Sequence, residues 1–263
     1  MFEMTSEDKS GFERDGYLIV RSLFDKQEMS GLLEFAKGDG TLASDAYVRR
    51  DATGGETRLA LRNDLDDSLP YTAVVRSARI VRTMESLFAD EVYHYHHKMM
   101  LKQPRIGGAW EWHQDYGYWY NNGCLYPDMG SCMLAVDQAT KQNGCLQVLR
   151  GSHQIGRVEH VEIGDQVGAD PERVAIAQQQ FELVYCELEP GDGLFFHSNL
   201  LHRSDQNRSD APRWSLICCY NTKHNDPYIT DGRHPNYSPL EVWSDDKVHG
   251  LLTENQEERK GGI

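Results

Sequence analysis

Hydrophobic residues in the first third of the chain recur at helical spacing. The two runs with this spacing are Met29, Leu32, Leu33 and Ala36, and further on Val74, Val81, Met84 and Phe88. Asp25 and Glu28 form a capping box ahead of the first run, and Gly38 follows its end. The pattern predicts a helix that begins at Asp25 and ends at Gly38, a second helix over about residues 70–88, and a short strand over residues 16–20.

From residue 92 onward the pattern changes to short apolar or alternating runs separated by Gly, Pro and Asn. The predicted strands lie at residues 92–101, 132–136, 145–149, 181–188, 193–196 and 214–220. Many short strands with this punctuation are typical of an antiparallel barrel or a double-sheet jelly roll. We therefore expect a mainly β fold with flanking helices, in a single domain over residues 1–263. A helical part would occupy about residues 1–90, the β core about 91–222 and a polar tail 223–263.

Two polar stretches interrupt these elements, and each could either fold over a site or remain solvated surface. Residues 38–67 are polar and contain several glycines, and residues 154–180 separate two groups of predicted strands. Within the second stretch, Asp170 can cap a short helix that begins at Pro171.

Composition narrows the class of protein. Hydrophobic residues make up 39% of the chain, which is typical of a folded globular protein. No run of about 18 apolar residues is present, so we expect no membrane-spanning helix. The formal net charge of −14 repels polyanions, and we therefore expect neither nucleic acid nor an anionic membrane surface as a partner.

The N-terminus and the cysteines both favour a cytoplasmic location. Glu3, Glu7 and Asp8 precede any apolar segment, which is the reverse of a signal peptide. The six cysteines form no Cys-x-x-Cys pair and lie mostly within apolar runs, which predicts buried free thiols rather than a zinc site or disulfides. The sequence carries no signal for an oligomeric state.

A histidine and a carboxylate lie two residues apart in the stretch Trp112-His113-Gln114-Asp115-Tyr116. In a strand, residues i and i+2 face the same way, so His113 and Asp115 can both point at one metal while Gln114 points away. His224-Asn225-Asp226 has the same spacing, but Pro227 follows it, which indicates a turn. His113 and Asp115 are therefore the candidate ligand pair.

His202 is the candidate for a third ligand. It follows an apolar segment, where a histidine is either a core residue held by a hydrogen bond or a metal ligand. Two histidines and one carboxylate on one side of a metal leave open positions, which is the arrangement in non-haem iron(II) oxygenases. His197 is the alternative third ligand, but it would lie on the opposite face of an unbroken strand.

Arg213 opens the predicted strand that follows His202. A buried arginine needs a carboxylate partner, because an unpaired interior charge costs several kcal/mol. A dicarboxylic cosubstrate would supply that partner, since a guanidinium binds a carboxylate through two parallel hydrogen bonds.

An aromatic run follows the candidate ligand pair directly. It consists of Tyr116, Tyr118, Trp119 and Tyr120. These side chains could wall a substrate cavity, even as a cage for a cationic group, or could pack within the core.

Further motifs extend over most of the chain, from Phe12-Glu13-Arg14-Asp15-Gly16-Tyr17 to Tyr220. They are Leu101-Lys102-Gln103-Pro104, Trp112-His113-Gln114-Asp115, Asn143-Gly144-Cys145-Leu146, Gly151-Ser152-His153, Gly191-Asp192 before Phe195-Phe196-His197, and His202-Arg203-Ser204 with Asn207 and Arg213. With these motifs the chain resembles the phytanoyl-CoA dioxygenase family of iron(II)- and 2-oxoglutarate-dependent oxygenases.

The resemblance implies a double-stranded β-helix core, which is a jelly roll. The iron ligands that it implies are His113, Asp115 and His202. It also implies that Arg213 with Ser204 holds the distal carboxylate of 2-oxoglutarate, and that Lys98 and Met133 contact this cosubstrate, although an aromatic residue can occupy the position of Met133 in the family. With molecular oxygen as the other cosubstrate, the implied reaction is the hydroxylation of a small molecule with release of succinate and carbon dioxide.

Two other classes of protein are compatible with the same residues. A jelly-roll protein could bind a metal or ligand without turnover, and a zinc hydrolase could use the same three ligands. The zinc alternative lacks a neighbouring glutamate base and leaves Arg213 without a role. Succinate formation from 2-oxoglutarate under iron(II) and oxygen separates these alternatives from an oxygenase.

Overall fold

Two antiparallel sheets dominate the structure, a computed structural model that describes residues 2–51 and 53–253. The strands are β1 (Tyr17–Val20), β2 (Tyr47–Arg50), β3 (Glu56–Arg62), β4 (Val92–Lys102), β5 (Trp110–His113), β6 (Met129–Ala135), β7 (Leu146–Leu149), β8 (His160–Ile163), β9 (Gln166–Ala169), β10 (Leu183–Cys186), β11 (Gly193–His197), β12 (His202–Ser204) and β13 (Arg213–Thr222). One sheet has seven strands in the order β1-β11-β6-β13-β4-β3-β2, and the other has four in the order β10-β7-β12-β5. Strands β8 and β9 form a separate hairpin. The mainly β architecture agrees with the prediction.

The α-helices of the described residues are α1 (Ser6–Asp15), α2 (Lys26–Gly38), α3 (Gly40–Asp45), α4 (Pro70–Arg76), α5 (Ala78–Phe88), α6 (Asp115–Trp119), α7 (Pro171–Gln180) and α8 (Asp245–Thr253). All except α6 and α7 contribute to a core on the outer face of the seven-stranded sheet. Side chains of α2, α4, α5 and α8, such as Leu32, Val74, Ile80 and Leu252, share one core with Leu216 of β13. Burying side chains of this kind contributes about 1.5–3 kcal/mol each before entropic costs.

The inner faces of the two sheets enclose a second core. Strand β13 shows how the two cores are separated, because Leu216 and Cys218 belong to the helix-facing core whereas Ile217 and Cys219 belong to the inner one. This alternation follows from the two-residue period of a strand. The candidate site lies in the inner core.

The sequence signals for α2 and α7 are confirmed. The Asp25 carboxylate accepts the backbone N–H of Glu28, and the Glu28 carboxylate accepts that of Asp25, both at 2.8 Å. The helix ends at Gly38. Asp170 caps α7, which begins at Pro171.

The prediction of one helix over residues 70–88 is wrong, because Ser77 separates α4 from α5. The backbone of Ser77 is extended, with φ −59° and ψ 128°. The backbone of Trp243 pairs with the residues on both sides of the break. Its backbone N–H donates to the Arg76 carbonyl at 2.8 Å, and its carbonyl accepts the backbone N–H of Ala78 at 3.1 Å. The partner that interrupts the helix is distant in sequence, so local spacing could not reveal it.

The two polar stretches contain regular structure. Residues 38–67 form α3 and the hairpin β2–β3, and β3 pairs with β4 at the side of the seven-stranded sheet. Residues 154–180 contain the hairpin β8–β9 and α7. Of the predicted polar tail, residues 254–263 lie outside the described part of the chain.

All six cysteines are buried and free, as predicted. Among the helices of the described residues, none combines the length and the apolar character needed to cross a bilayer.

Candidate active site

The register between two strands brings His113 and His202 together. Strand β5 ends at His113, β12 begins at His202, and the two residues lie directly opposite each other in the antiparallel ladder. Their ring centroids are 4.0 Å apart, and both side chains are buried.

Asp115 reaches the same place by a different route from the one predicted. The strand ends at His113, Gln114 is extended with φ −114° and ψ 133°, and Asp115 begins α6. A strand through Asp115 is therefore wrong, but one extended residue suffices to keep the His113 and Asp115 side chains on one side. Gln114 points away as expected, into the interior, where it donates to the carbonyls of Gly156 and Asn199 at 2.9 and 2.7 Å.

The three predicted metal ligands converge in the structure. Each offers one ligand atom, and these atoms of His113, Asp115 and His202 lie within 4.8 Å of one another. The alternative ligand His197 lies elsewhere, because its Nδ1 accepts the backbone N–H of Asn199 at 3.0 Å and its ring contacts Phe12 and Phe88. His224 is likewise remote and bonds to the carboxylates of Asp90 and Asp128.

Backbone carbonyls orient both imidazoles. The Nδ1–H of His113 donates to the Glu111 carbonyl at 2.7 Å, and that of His202 donates to the Leu200 carbonyl at 2.9 Å. Because Nδ1 carries the hydrogen in the neutral ring, Nε2 keeps its lone pair for a metal. Burial, and then the neighbouring His202, lower the pKa of His113 well below its usual value, and burial lowers the pKa of His202.

Ser131 orients the carboxylate of Asp115. Its hydroxyl donates to Oδ2 at 2.9 Å, while Oδ1 lies 4.0 Å from Nε2 of His113. Burial raises the pKa of Asp115, but the opposing effects of Lys98, His202 and Ser131 together hold it below its usual value. The site therefore combines two neutral imidazoles with an ionised carboxylate, which is a donor set that fits iron(II).

Arg213 is buried beside these ligands, and no carboxylate of residues 2–51 or 53–253 forms an ion pair with it. It is 2% exposed, Nη1 donates to the Ser215 hydroxyl at 3.3 Å, and Nε finds no hydrogen-bond partner within that part of the chain. Burial lowers the pKa of Arg213 to about 10. An unpaired buried guanidinium is costly unless an anion joins it, so the site fits the distal carboxylate of 2-oxoglutarate.

The other predicted cosubstrate contacts line the same cavity as the triad and Arg213. They are Ser204, Lys98 and Met133. Strand alternation explains this placement, because Ser204 follows His202 by two residues on β12 and Lys98 lies opposite Ile217 of the inner core. The structure thus brings all the predicted site residues together.

Sequence reasoning missed Lys102, a second buried cation. It lies directly opposite Arg213 in the β4–β13 ladder, and its Nζ donates to the Ser204 hydroxyl at 2.8 Å and to the Asp205 carbonyl. Burial, and then Arg213, lower the pKa of Lys102 well below its usual value. Since the Ser204 oxygen accepts from Lys102, the Ser204 hydroxyl keeps its own hydrogen for a ligand. The available signal was a lysine four residues after Lys98, on the same face of an apolar strand.

A larger cavity of about 520 Å³ leads from the triad towards the surface. Its aromatic lining is Tyr47, Tyr95, Trp110, Tyr118 and Trp119, and its charged or titratable lining includes Arg49, Lys98, Asp165, Arg233 and His234. The aromatic run after the ligands divides, because Tyr118 and Trp119 line this cavity while Tyr116 donates to the Leu125 carbonyl and Tyr120 lies beneath Arg157. Hairpins β2–β3 and β8–β9 both contribute to the lining.

One family model and several curated proteins are similar to this chain in sequence. A sequence model described as phytanoyl-CoA dioxygenase (PhyH) matches residues 12–215. The chain is 26% identical over 253 residues to L-proline trans-4-hydroxylase of Streptomyces griseoviridis, covering 90% of this chain and 92% of the relative. It is 26% identical over 254 residues to ectoine dioxygenase of Nocardia farcinica, covering 89% and 85%.

A solved structure shares the fold. The crystal structure of EctD from S. alaskensis with 2-oxoglutarate and 5-hydroxyectoine matches with a TM-score of 0.75 and 22% identity, over 92% of this chain and 88% of that chain. This likeness confirms the predicted jelly-roll fold.

Proposed function

The chain belongs to the phytanoyl-CoA dioxygenase family, and from that membership we propose which of its residues bind the metal, the cosubstrate and the substrate. It is a non-haem iron(II)- and 2-oxoglutarate-dependent dioxygenase that hydroxylates a small molecule and releases succinate and carbon dioxide. The proposal concerns the roles of individual residues and the chemical class of the substrate.

His113, Asp115 and His202 are the proposed iron ligands. Their convergence, the two carbonyl-bound Nδ1 atoms and the ionised carboxylate support this assignment. Iron(II) bound there supplies the activation of molecular oxygen while 2-oxoglutarate is oxidised. His113 and Asp115 also line the larger cavity, so a substrate in that cavity would lie next to a metal that these residues hold.

Arg213 is the proposed anchor for the distal carboxylate of 2-oxoglutarate, with Ser204 as a second donor. The observation that carries the functional proposal is a buried guanidinium, without a carboxylate partner among the described residues, in the cavity that the triad lines. A dicarboxylate that binds the metal at one end and Arg213 at the other would complete the metal site and would also neutralise the guanidinium. Lys98 and Met133 would form the adjacent wall, and Lys102 would hold the Ser204 hydroxyl in place.

The substrate is proposed to be a compact molecule with an anionic group. Arg49 and Arg233 line the larger cavity of a chain whose net charge is −14, and the carboxylates in the same lining are Asp165 and the proposed ligand Asp115. Arg233 also pairs with Asp231 at 2.6 Å, so Arg49 is the leading candidate for contact with the anionic group. Aromatic side chains that line the same cavity, such as Tyr118 and Trp119, would hold the apolar body of such a molecule. Two of the relatives are named for L-proline and ectoine, both of them small molecules.

A substrate screen tests this proposal. Protein loaded with iron(II) is given 2-oxoglutarate, oxygen and small carboxylic acids, each beside its primary amide, with L-proline and L-prolinamide as the first pair. Oxygen uptake, succinate release and the gain of one oxygen atom in the substrate are measured together. We expect the three signals to coincide, and the acid of each active pair to have the lower KM.

Two controls identify the alternatives. Zinc(II) in place of iron(II) should give no succinate, and His202→Ala should abolish turnover with iron(II). Failure of the wild-type protein to release succinate under all conditions would favour a non-catalytic binding protein, and zinc-supported hydrolysis of a test ester or amide would favour a hydrolase.

A further inference from the structure

Strand β5, which carries the proposed ligand His113, lies at the edge of its sheet. On one side it pairs with β12, and on the other side no strand of the described residues joins it. An edge strand leaves backbone N–H and C=O groups without ladder partners, and the strand is then free to shift. The outer edge of β5 faces the hairpin β8–β9.

The side-chain amide of Gln166 takes the place of the missing strand. Its Oε1 accepts the backbone N–H of Glu111 at 3.0 Å, and its Nε2 donates to the Ala109 carbonyl at 3.0 Å. These are the two groups flanking Trp110, which one residue of a neighbouring parallel strand would bind through its own N–H and C=O. Gln166 is 5% exposed, so water offers little competition for these bonds.

The second hydrogen of the Gln166 amide forms a hydrogen bond to a third segment of the chain. Nε2 of Gln166 also donates to the Arg50 carbonyl at 3.1 Å, at the end of β2. The amide therefore uses both donors and its acceptor, and it connects β9, β5 and β2. Gln166 itself, Arg49 of β2 and Trp110 of β5 all line the larger cavity beside the triad.

The residue that Gln166 holds is also the residue that orients the metal ligand. The Glu111 N–H is bound by Gln166, and the Glu111 carbonyl accepts the Nδ1–H of His113 at 2.7 Å. We infer that Gln166 is a positioning residue: its amide fixes the edge of β5, and through Glu111 it sets the orientation of the His113 imidazole while holding the cavity walls together. This inference rests on the proposed iron site for its effect on metal binding but not for its effect on β5.

Gln166→Met tests the inference, because methionine has a similar length and no hydrogen-bonding amide. Hydrogen exchange of the Glu111 amide is measured without metal, and iron(II) affinity is measured anaerobically by competition with a chelator. We expect faster exchange at Glu111 and about tenfold weaker iron(II) binding, the lower range for loss of a partner that orients a ligand. The Ala109 amide, which donates to Asp51 at 2.7 Å, should stay protected and report an intact fold.

Gln179→Met on the exposed surface of α7 is the matched control and should match wild type in both measurements. Wild-type exchange and wild-type iron(II) affinity in Gln166→Met would overturn the inference. Faster exchange with unchanged affinity would overturn its link to His113. Should Gln166→Met not fold, Gln166→Leu, which likewise removes the acceptor of the Glu111 N–H and both donors, carries the same test with the same overturning results.

A wild-type protein that binds no iron(II) contradicts the proposed function instead. The exchange of the Glu111 amide still tests the role of Gln166 in that case, because it is measured without metal.

Discussion

At the scale of the residue, side-chain type and spacing were enough to predict three side chains that the structure brings together. His113, Asp115 and His202 are the residue types that bind iron(II), and Arg213 is conspicuous because a buried cation requires an anion. The neighbours that orient them could not be predicted. Ser131 and Gln166 reach the site through pairings between distant segments, and no spacing links them to the ligands.

Arg213→Met should affect cosubstrate affinity and stability in different directions. Losing one partner of a buried charge pair costs about 2–5 kcal/mol, and about 1.4 kcal/mol corresponds to a factor of ten, so the half-saturating 2-oxoglutarate concentration should rise about 30-fold or more. The melting temperature of the protein without metal and cosubstrate should not fall, because the substitution removes an unpaired buried charge. Steady-state kinetics and calorimetric melting measure the two effects.

Arg208→Met, at an exposed position, serves as the control and should leave both values unchanged. Wild-type dependence on 2-oxoglutarate in Arg213→Met would remove Arg213 from the cosubstrate site.

Ser131→Ala should weaken metal binding without changing the cosubstrate site. The substitution removes the donor to Oδ2 of Asp115, and loss of such a partner typically lowers metal affinity about 10–100-fold. Anaerobic iron(II) titration measures the change, and Ser68→Ala at the surface is the control. Unchanged iron(II) affinity would show that Asp115 does not depend on this hydrogen bond.

At the scale of the element, the sequence predicts a helix boundary correctly where interactions between neighbouring residues determine that boundary. The capping box at Asp25 and Pro171 at the start of α7 act within one turn of helix, and both predictions are confirmed. The break at Ser77 depends on Trp243, and residues 38–67 form a hairpin because β4 offers them an edge to pair with. Such partners are absent from any local window of sequence.

Asp25→Ala should destabilise the fold without affecting catalysis. It removes the side-chain acceptor for the Glu28 N–H at the start of α2, which costs about 1 kcal/mol in the free energy of unfolding. Denaturant unfolding measures the loss, and Asp25→Asn, which keeps an acceptor, should lose much less. Because α2 packs on the outer face of the seven-stranded sheet, the KM for 2-oxoglutarate should not change. Equal stability of the alanine variant and wild type would contradict the capping role.

The contribution of His224, which follows β13, to the stability of the fold should depend on pH. His224 bonds to Asp90 at 2.8 Å and to Asp128 at 2.9 Å, and chiefly the hydrogen bond to Asp90 raises the pKa of His224. A raised pKa in the folded state stabilises the protein below the unfolded pKa of about 6.5, and this stabilisation is lost as the pH rises through the folded pKa.

The melting temperatures of wild type and His224→Asn should therefore converge as the pH rises above the folded pKa of His224, with wild type the more stable near pH ~6. A pH-independent difference between the two proteins would contradict this origin of the stabilisation.

At the scale of the whole molecule, the fold class follows from many short strands, whereas the sheet order does not. Strand β1 pairs with β11, and β12 lies between β5 and β7, so that the neighbours in each sheet come from distant parts of the chain. The chain has a net charge of −14, while Arg49, Lys98 and Arg233 line its larger cavity together with Asp115 and Asp165. The absence of a polyanionic partner stays a prediction. The single domain over residues 1–263 and the cytoplasmic location stay predictions.

Anomalous diffraction at the iron edge, from crystals grown without oxygen in the presence of iron(II) and 2-oxoglutarate, tests the central claim most directly. We predict one strong peak per chain in contact with His113, Asp115 and His202. Another group of potential ligands lies at the start of α2, formed by Asp25, Glu28 and His249, but both oxygens of Glu28 already accept hydrogen bonds from Arg79. A peak at that group, or no peak at the triad, would contradict the account.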